Sequence, residues 1–302
     1  MLAIIIPYFK LAFFDQALQS LANQTDKRFH VYIGDDASPE NPSTLLEKYK
    51  DQFDFSYHRF DENLGGQSLT EQWERCINLT KDESWIMILG DDDCLGENVI
   101  ESWYENYDVF VSKSNLVRFA TKILDQNSNT LSEAFLHPAW ESATTSFWRK
   151  HNHLTRSSLS EYVFSRELYN KYGFQNFPLA WNSDDCAWLD FSDGKPIYTI
   201  NNSLVYVGIS ASNISGKTDN IILKRDSQIA FCKYLISKKS YLFSKKELLL
   251  IIRKYEIEIL KQRHLTNSEW LYLFSKYIKY YTYKDTKKFI KRLVNTILKR
   301  HE

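Results

Sequence analysis

Three consecutive carboxylates, Asp91, Asp92 and Asp93, follow the apolar run Trp85-Ile86-Met87-Ile88-Leu89 and a glycine, Gly90. The run reads as a buried strand that stops at the glycine, so the acids sit at its exit. Alternate side chains of an extended chain face opposite ways, which places Asp91 and Asp93 on one side and Asp92 on the other unless the turn after Gly90 regathers them. Like charges this close repel one another. A hard divalent cation, Mg²⁺ or Mn²⁺, offsets the repulsion by taking carboxylate oxygens and sharing its other positions with water and a substrate phosphate. Helix capping is the other use, since Asp is a good N-cap and Glu97, Val99 and Ile100 announce a helix. Capping, however, needs one carboxylate. A second acidic pair, Asp184-Asp185, stands between Trp181 and Trp188. Apolar neighbours raise a carboxyl pKa, which is what a general base near neutrality requires. A helix N-cap formed by Ser183 or Asp184 explains the same segment in structural terms.

The elements that must position these acids are legible in the hydrophobic pattern. Residues 2–6, Leu-Ala-Ile-Ile-Ile, form a short apolar run closed by Pro7, as expected of a strand buried on both faces of a parallel sheet. Leu11, Phe14, Leu18, Leu21 and Ala22 then recur at helical spacing, and residues 29–33 form the next apolar run, ended by Gly34-Asp35-Asp36. Helices are expected over 44–49 and 69–79, with a strand at 53–58 between them. This is a βαβ rhythm, and it puts the loops at Asp35-Asp36, at Asn63 to Gly66 and at Gly90 to Asp93 on one sheet edge, where ligands bind in open α/β folds. Taken singly, each loop is also ordinary turn chemistry.

Past residue 97 the pattern predicts a helix to 107, strands at 109–111 and 116–124, and a turn at 125–129. Those two strands look like antiparallel additions to the parallel core, and further strands are expected at 158–164, 197–200 and 204–207. From about residue 219 Gly and Pro vanish and Leu, Ile, Tyr and Lys dominate, so helices are expected to the end. Two domains follow from this, residues 1–218 and 219–302.

A chain of 302 residues with 15% aromatic residues has material for a large core, and its formal net charge of zero gives no global argument for a nucleic-acid partner. Cys76, Cys94, Cys186 and Cys232 show no metal-ligand or redox spacing, which suits free thiols in a reducing cytoplasm. The N-terminal apolar run lacks a basic flank and is too short for a signal peptide. No run of about twenty apolar residues occurs to span a bilayer.

Four ordered motifs, Ile4-Ile5-Ile6-Pro7-Tyr8, Gly34-Asp35-Asp36-Ala37-Ser38, Asn63-Leu64-Gly65-Gly66 and Leu89-Gly90-Asp91-Asp92-Asp93, resemble the successive signatures of glycosyltransferase family 2 across about the first 215 residues. The resemblance implies the GT-A fold: a Rossmann-like α/β domain with a mainly parallel central sheet flanked by helices, here carrying a helical C-terminal extension. It implies nucleotide contacts from Pro7, Tyr8, Asp35, Asp36, Asn63, Gly65, Gly66 and Asp91, with a metal on Asp92 and Asp93. The family pattern is Asp, any residue, Asp, Asp, and Gly90 occupies its first slot; the alternative register makes Asp91 and Asp93 the metal pair. The family's Ala-Arg-Asn after the third motif is replaced by Gln67-Ser68-Leu69. The resemblance assigns Asp185 as catalytic base and Asp184 as its orienting partner or an acceptor contact, with Trp181 and Trp188 as candidate sugar contacts. It also makes residues 210–217 a loop able to order over a diphosphate, although Val207 and Gly208 stand where relatives have Arg or His; a linker is the other reading.

The activity so implied is inverting, metal-assisted transfer from a nucleotide-diphosphate sugar, UDP-linked by preference, to a hydroxyl of a glycan or lipid-linked acceptor. A catalytically silent nucleotide- or sugar-binding subunit is the first rival. A metal-dependent nucleotidyltransferase is the second, disfavoured because no Gly-rich loop with a Lys is present to cradle a triphosphate. In the last predicted helix Phe289, Ile290, Leu293, Val294 and Ile297 share a face, flanked by Lys287, Lys288, Lys291, Arg292, Lys299 and Arg300. That pattern suits packing on the chain's own domain, or peripheral contact with the inner face of a membrane from a cytoplasmic location.

Overall fold

The computed structural model describes residues 1–210, 213, 216–280 and 283–298, except for the side chains of Lys284 and of residues 296–298. Contacts divide the chain into two compact units, Met1–Asp219 and Asn220–Glu302.

The first unit opens with β1 (Leu2–Tyr8), buried from Leu2 to Ile6 because both of its faces are covered. Three crossovers follow: α1 (Phe14–Ala22) to β2 (Phe29–Asp35), α2 (Ser43–Tyr49) to β3 (Phe55–Arg59), and α3 (Leu69–Ile77) to β4 (Trp85–Ile88). These strands run parallel in the order β3-β2-β1-β4, so the loops that follow them open on one edge. Next come β5 (Cys94–Leu95), α4 (Val99–Phe110), β6 (Leu116–Asp125), β7 (Thr130–Leu131), β8 (Trp140–Glu141), α5 (Ala143–His151), β9 (Tyr162–Ser165), α6 (Arg166–Tyr172), α7 (Ser183–Phe191) and β10 (Ile197–Ile209). β9 lies between β4 and β6, antiparallel to both, and β10 pairs parallel with β6.

Three local expectations are corrected. β6, expected to run antiparallel to the core, runs with it, because two antiparallel steps through β9 restore the direction of β4. Residues 109–111, predicted as a strand, close α4 instead, because Val99, Trp103 and Phe110 bury one continuous helical face. The two strands expected at 197–200 and 204–207 are one strand, β10, whose register against β6 shifts between Ile200 and Leu204. The shift lets the exposed Asn201 and Asn202 bulge outward without ending the pairing.

A buried ion network fixes α5 against the sheet. Arg118 of β6 is fully buried, donating to Glu141 Oε2 at 2.9 Å and to the Ser146 hydroxyl at 2.6 Å, while Arg149 also pairs with Glu141. Breaking such a pair leaves an uncompensated buried charge, so α5 is held firmly in place.

The second unit is helical: α8 (Ile221–Lys238), α9 (Lys245–Leu260), α10 (Asn267–Tyr280) and α11 (Tyr283–Leu298). Ser244 and Glu247 form a capping box at the start of α9. Inside the unit Glu256 is fully buried and accepts from Arg253 Nη1 at 2.9 Å, from the Tyr277 hydroxyl and from Arg292 Nε at 2.8 Å, tying α9 to α10 and α11. No helix among the described residues is long and apolar enough to cross a membrane.

Candidate active site

β4 ends at Ile88, and the Asp93 N–H donates to the Gly90 carbonyl at 3.2 Å, closing a tight turn. That turn splits the acidic trio. Asp91 swings toward the loop after β1, where Oδ2 accepts the backbone N–H groups of Phe9 and Lys10, each at 2.9 Å. Asp92 Oδ1 and Asp93 Oδ2 instead lie 3.0 and 2.9 Å from the point that a β-carbon on Gly90 would occupy. A β-carbon at this position would press on the ends of both carboxylates and shift them. Asp93 Oδ1 accepts the Gly208 N–H at 2.8 Å and Oδ2 accepts the Ser160 hydroxyl, while the Asn213 amide reaches Asp92 Oδ2 at 3.3 Å.

Burial and the neighbouring Asp92 charge push Asp91 up to about 6 and Asp93 up to about 7, and burial raises Asp92 as well. Among the described residues no group of three or more His, Cys, Asp or Glu forms a complete metal cage. The all-oxygen set at Asp92 and Asp93 still fits a hard divalent ion. Mg²⁺ in particular uses one or two carboxylates and fills its shell with phosphate and water oxygens. A cation there would relieve the charge that Asp92 imposes on Asp91 and Asp93.

The acids face a cleft of 670 Å³ that Pro7, Asp36, Asn63, Gly65 and Gly66 also line. Asp36 accepts the N–H groups of Leu64 at 2.7 Å and Gly65 at 2.9 Å and pairs with Arg75, so it shapes the third motif's loop from beneath. Tyr8 and Asp35, expected as nucleotide contacts, stand behind the cleft wall. The Tyr8 hydroxyl is used on the Glu40 carbonyl, and Asp35 is saturated by Arg59, Tyr57 and the Ser38 N–H. Both brace the loops that line the cleft.

Across the cleft, α7 begins after a strained connection in which Leu179, Ala180 and Asn182 have φ of 58°, 51° and 69°. Non-glycine residues in that region cost about 1–3 kcal/mol each and persist only where the surroundings enforce them. The connection aims Asp184 and Asp185, in the first turn of α7, into the cleft beside Trp181. Trp188 is corrected to a core residue: it is buried and stacks on Tyr162, with centroids 4.2 Å apart, because α7 turns it toward the sheet.

Lys150, from α5, differentiates the acidic pair. Its Nζ lies 2.6 Å from Asp185 Oδ1, while the Asn182 amide donates to Asp185 Oδ2 at 2.9 Å. Burial would raise Asp185, but Lys150, His151 and Asn182 hold it below the usual carboxylate range. Asp184 is pushed up to about 6 by burial, against the pull of the Lys150 charge. Arg156, Lys10 and Lys217 bring further positive charge to the cleft. Of the loop at 210–217, Asn213 and Lys217 reach the cleft, while Ala211, Ser212, Ile214 and Ser215 lie outside the described residues. A second depression, of 750 Å³, over α1 and the β5–β10 edge gathers amides and scattered acids but no acidic cluster.

Lys150, Arg156 and Ser160 are candidate-site residues that sequence reasoning missed, whereas Asn213 belongs to the loop at 210–217 already expected there. None of the three sits in a motif, and only the packing of α5 and of the segment before β9 brings them to the acids.

The chain matches the glycosyl transferase family 2 model over residues 3–176. No curated protein matches it significantly. Among solved structures, S. aureus TarS 1–349 in complex with UDP-GlcNAc is 14% identical, with a TM-score of 0.58 over 93% of this chain and 73% of that one. The same protein in complex with UDP is 12% identical, with a TM-score of 0.63 over 92% and 80%. A longer S. aureus TarS chain gives a TM-score of 0.62 at 12% identity, over 94% of this chain and 49% of that one. Identities this low speak for the fold alone, which is GT-A, whereas the family match spans more than half the sequence and includes the acidic turn. The chain is a member of glycosyltransferase family 2.

Proposed function

We propose that this protein transfers a sugar from a nucleotide-diphosphate sugar to a hydroxyl of a glycan or lipid-linked acceptor, inverting the configuration at the anomeric carbon. One observation carries the reading: a single 670 Å³ cleft holds the converging carboxylates Asp92 and Asp93 on one wall and the Asp184–Asp185 pair on the other. UDP is the favoured nucleotide because the TarS structures of the same fold hold UDP and UDP-GlcNAc.

Asp92 and Asp93 would hold Mg²⁺ or Mn²⁺, which when bound neutralises charge on the departing diphosphate. Arg156, whose Nη1 lies 3.8 Å from Glu161 Oε1, and Lys217 supply further charge on that side. Pro7, Asn63, Gly65 and Gly66 shape the nucleotide end of the cleft, and Asp91 pins the backbone of Phe9 and Lys10 beside it. Trp181 offers an apolar face to the sugar. Asp184 accepts the acceptor's proton as its oxygen attacks the anomeric carbon, and Asp185, clamped by Lys150 and Asn182, orients the helix turn that carries Asp184. These roles exchange those the family resemblance assigns. A carboxylate with both oxygens engaged is a poor proton acceptor, whereas one poised near 6 is a good one.

Calorimetric titration of the purified protein with UDP, GDP and CDP, with and without Mn²⁺, tests the donor half. Metal-dependent binding of one nucleotide, lost in Asp92→Ala, is expected. A folded protein that binds none of them overturns the assignment.

A further inference from the structure

The formal net charge of zero conceals a strong division. Residues 1–219 carry 18 Lys and Arg against 31 Asp and Glu, and residues 220–302 carry 20 against 7. The helical unit is therefore a polycation joined to a polyanionic catalytic unit.

Within it, α10 and α11 expose an apolar surface that the unit does not cover. Phe289 packs on Trp270 and Tyr277, and Arg292 and Tyr277 turn inward to Glu256 of α9. Phe289 is thus an interior group, as packing of this face on the chain's own helices requires, and the flanking Arg292 is half-buried on Glu256. What remains outward is Leu271 and Ile278 on α10, exposed by 70% and 59%, and Ile290 and Val294 on α11, exposed by 42% and 45%. Leu271 and Ile278 are two turns apart, and Ile290 and Val294 one turn apart, so each pair forms a ridge. Lys279 on α10 and Lys287, Lys288 and Lys291 on α11 are exposed on the same two helices. The acids there are otherwise engaged or sparse: Glu269 is held by Arg263, and Asp285 is half-buried.

We propose that the α10–α11 surface docks on an anionic lipid bilayer. Apolar ridges of this size insert only to the headgroup boundary, and the surrounding lysines supply attraction to acidic headgroups. The charge complementarity selects an anionic surface over a second copy of the same face, because two polycationic helical units repel one another. Docking at the lipid surface would bring the chain to acceptors that are carried in the membrane. The inference stands on the helical unit alone and does not depend on the donor assignment.

Sedimentation of the full chain with phosphatidylcholine vesicles, with and without about 30% phosphatidylglycerol, tests it. Binding to the anionic vesicles only, abolished on raising salt from about 0.15 to 1 M, is expected. Lys279→Gln with Lys287→Gln should weaken it about 30-fold, and Ile278→Ser with Ile290→Ser about tenfold. Unchanged nucleotide titration and circular dichroism would show that both variants are folded. Equal binding to neutral vesicles, no binding to either, or a concentration-dependent oligomer that the serine variant dissolves would each overturn the proposal.

Discussion

Lys150 Nζ lies 2.6 Å from Oδ1 of Asp185, and the lysine comes from α5 while the aspartate comes from the first turn of α7. The contact makes two adjacent carboxylates chemically unlike. One is held ionised as a fixed partner, and the other is left with a raised pKa in the cleft.

Asp184→Asn should therefore lower transfer by about 10²–10⁴-fold while leaving nucleotide affinity unchanged. Asp185→Asn should cost about tenfold, within the range for a group that positions another. Donor hydrolysis, followed by nucleotide release, reads both without a known acceptor. The opposite ranking would return the base role to Asp185.

The pH profile separates the two roles further. The rate should rise with pH as Asp184 ionises near 6. Lys150 lowers that value by its charge, so Lys150→Met should move the limb to higher pH, and Asp185→Asn, which leaves the ammonium to Asp184 alone, should move it lower. A limb that stays in place in both variants would disconnect Lys150 from the base.

Gly90→Ala should disable the acidic turn without unfolding the protein. The new methyl would stand 2.9 Å from Asp93 Oδ2 and 3.0 Å from Asp92 Oδ1, so the carboxylates must part. Metal-dependent nucleotide affinity should fall about 10- to 100-fold. Calorimetry on the variant, with thermal unfolding as the control for folding, checks this.

Metal should also stabilise the fold in a pH-dependent way. Asp91 and Asp93 have raised pKa values in the folded chain, about 6 and about 7, so the folded state binds more protons than the unfolded one between the ordinary value and these. Their contribution is fully present below about pH 4 and is lost as pH rises toward 7. Mn²⁺ at about 100 times its dissociation constant adds about 2.7 kcal/mol, or about 5–10 °C in Tm. The gain should be large at pH 8 and small at pH 5, because protonated carboxyls do not bind it. Melting curves at the two pH values with and without Mn²⁺ decide the matter, and equal gains would argue against these ligands.

Much of this protein is written locally. The all-apolar run of β1, the helical spacing of α1 and the acids placed after each strand determined a parallel α/β sheet with its chemistry on one edge, because a strand covered on both faces must be apolar throughout and its exit loop is the first place a charge can stand. The acidic turn at Asp91 to Asp93 was legible for the same reason. Tertiary structure alone decided that the carboxylate ends of Asp92 and Asp93 both lie within contact distance of the β-carbon that Gly90 lacks, since a missing β-carbon matters only once its neighbours are placed. It also turned Trp188 into the core, merged two strands into β10, and brought Lys150 across from α5 to Asp185, 35 residues later in the chain. An ion pair between helices depends on where the sheet sets them, and no spacing along the sequence encodes that.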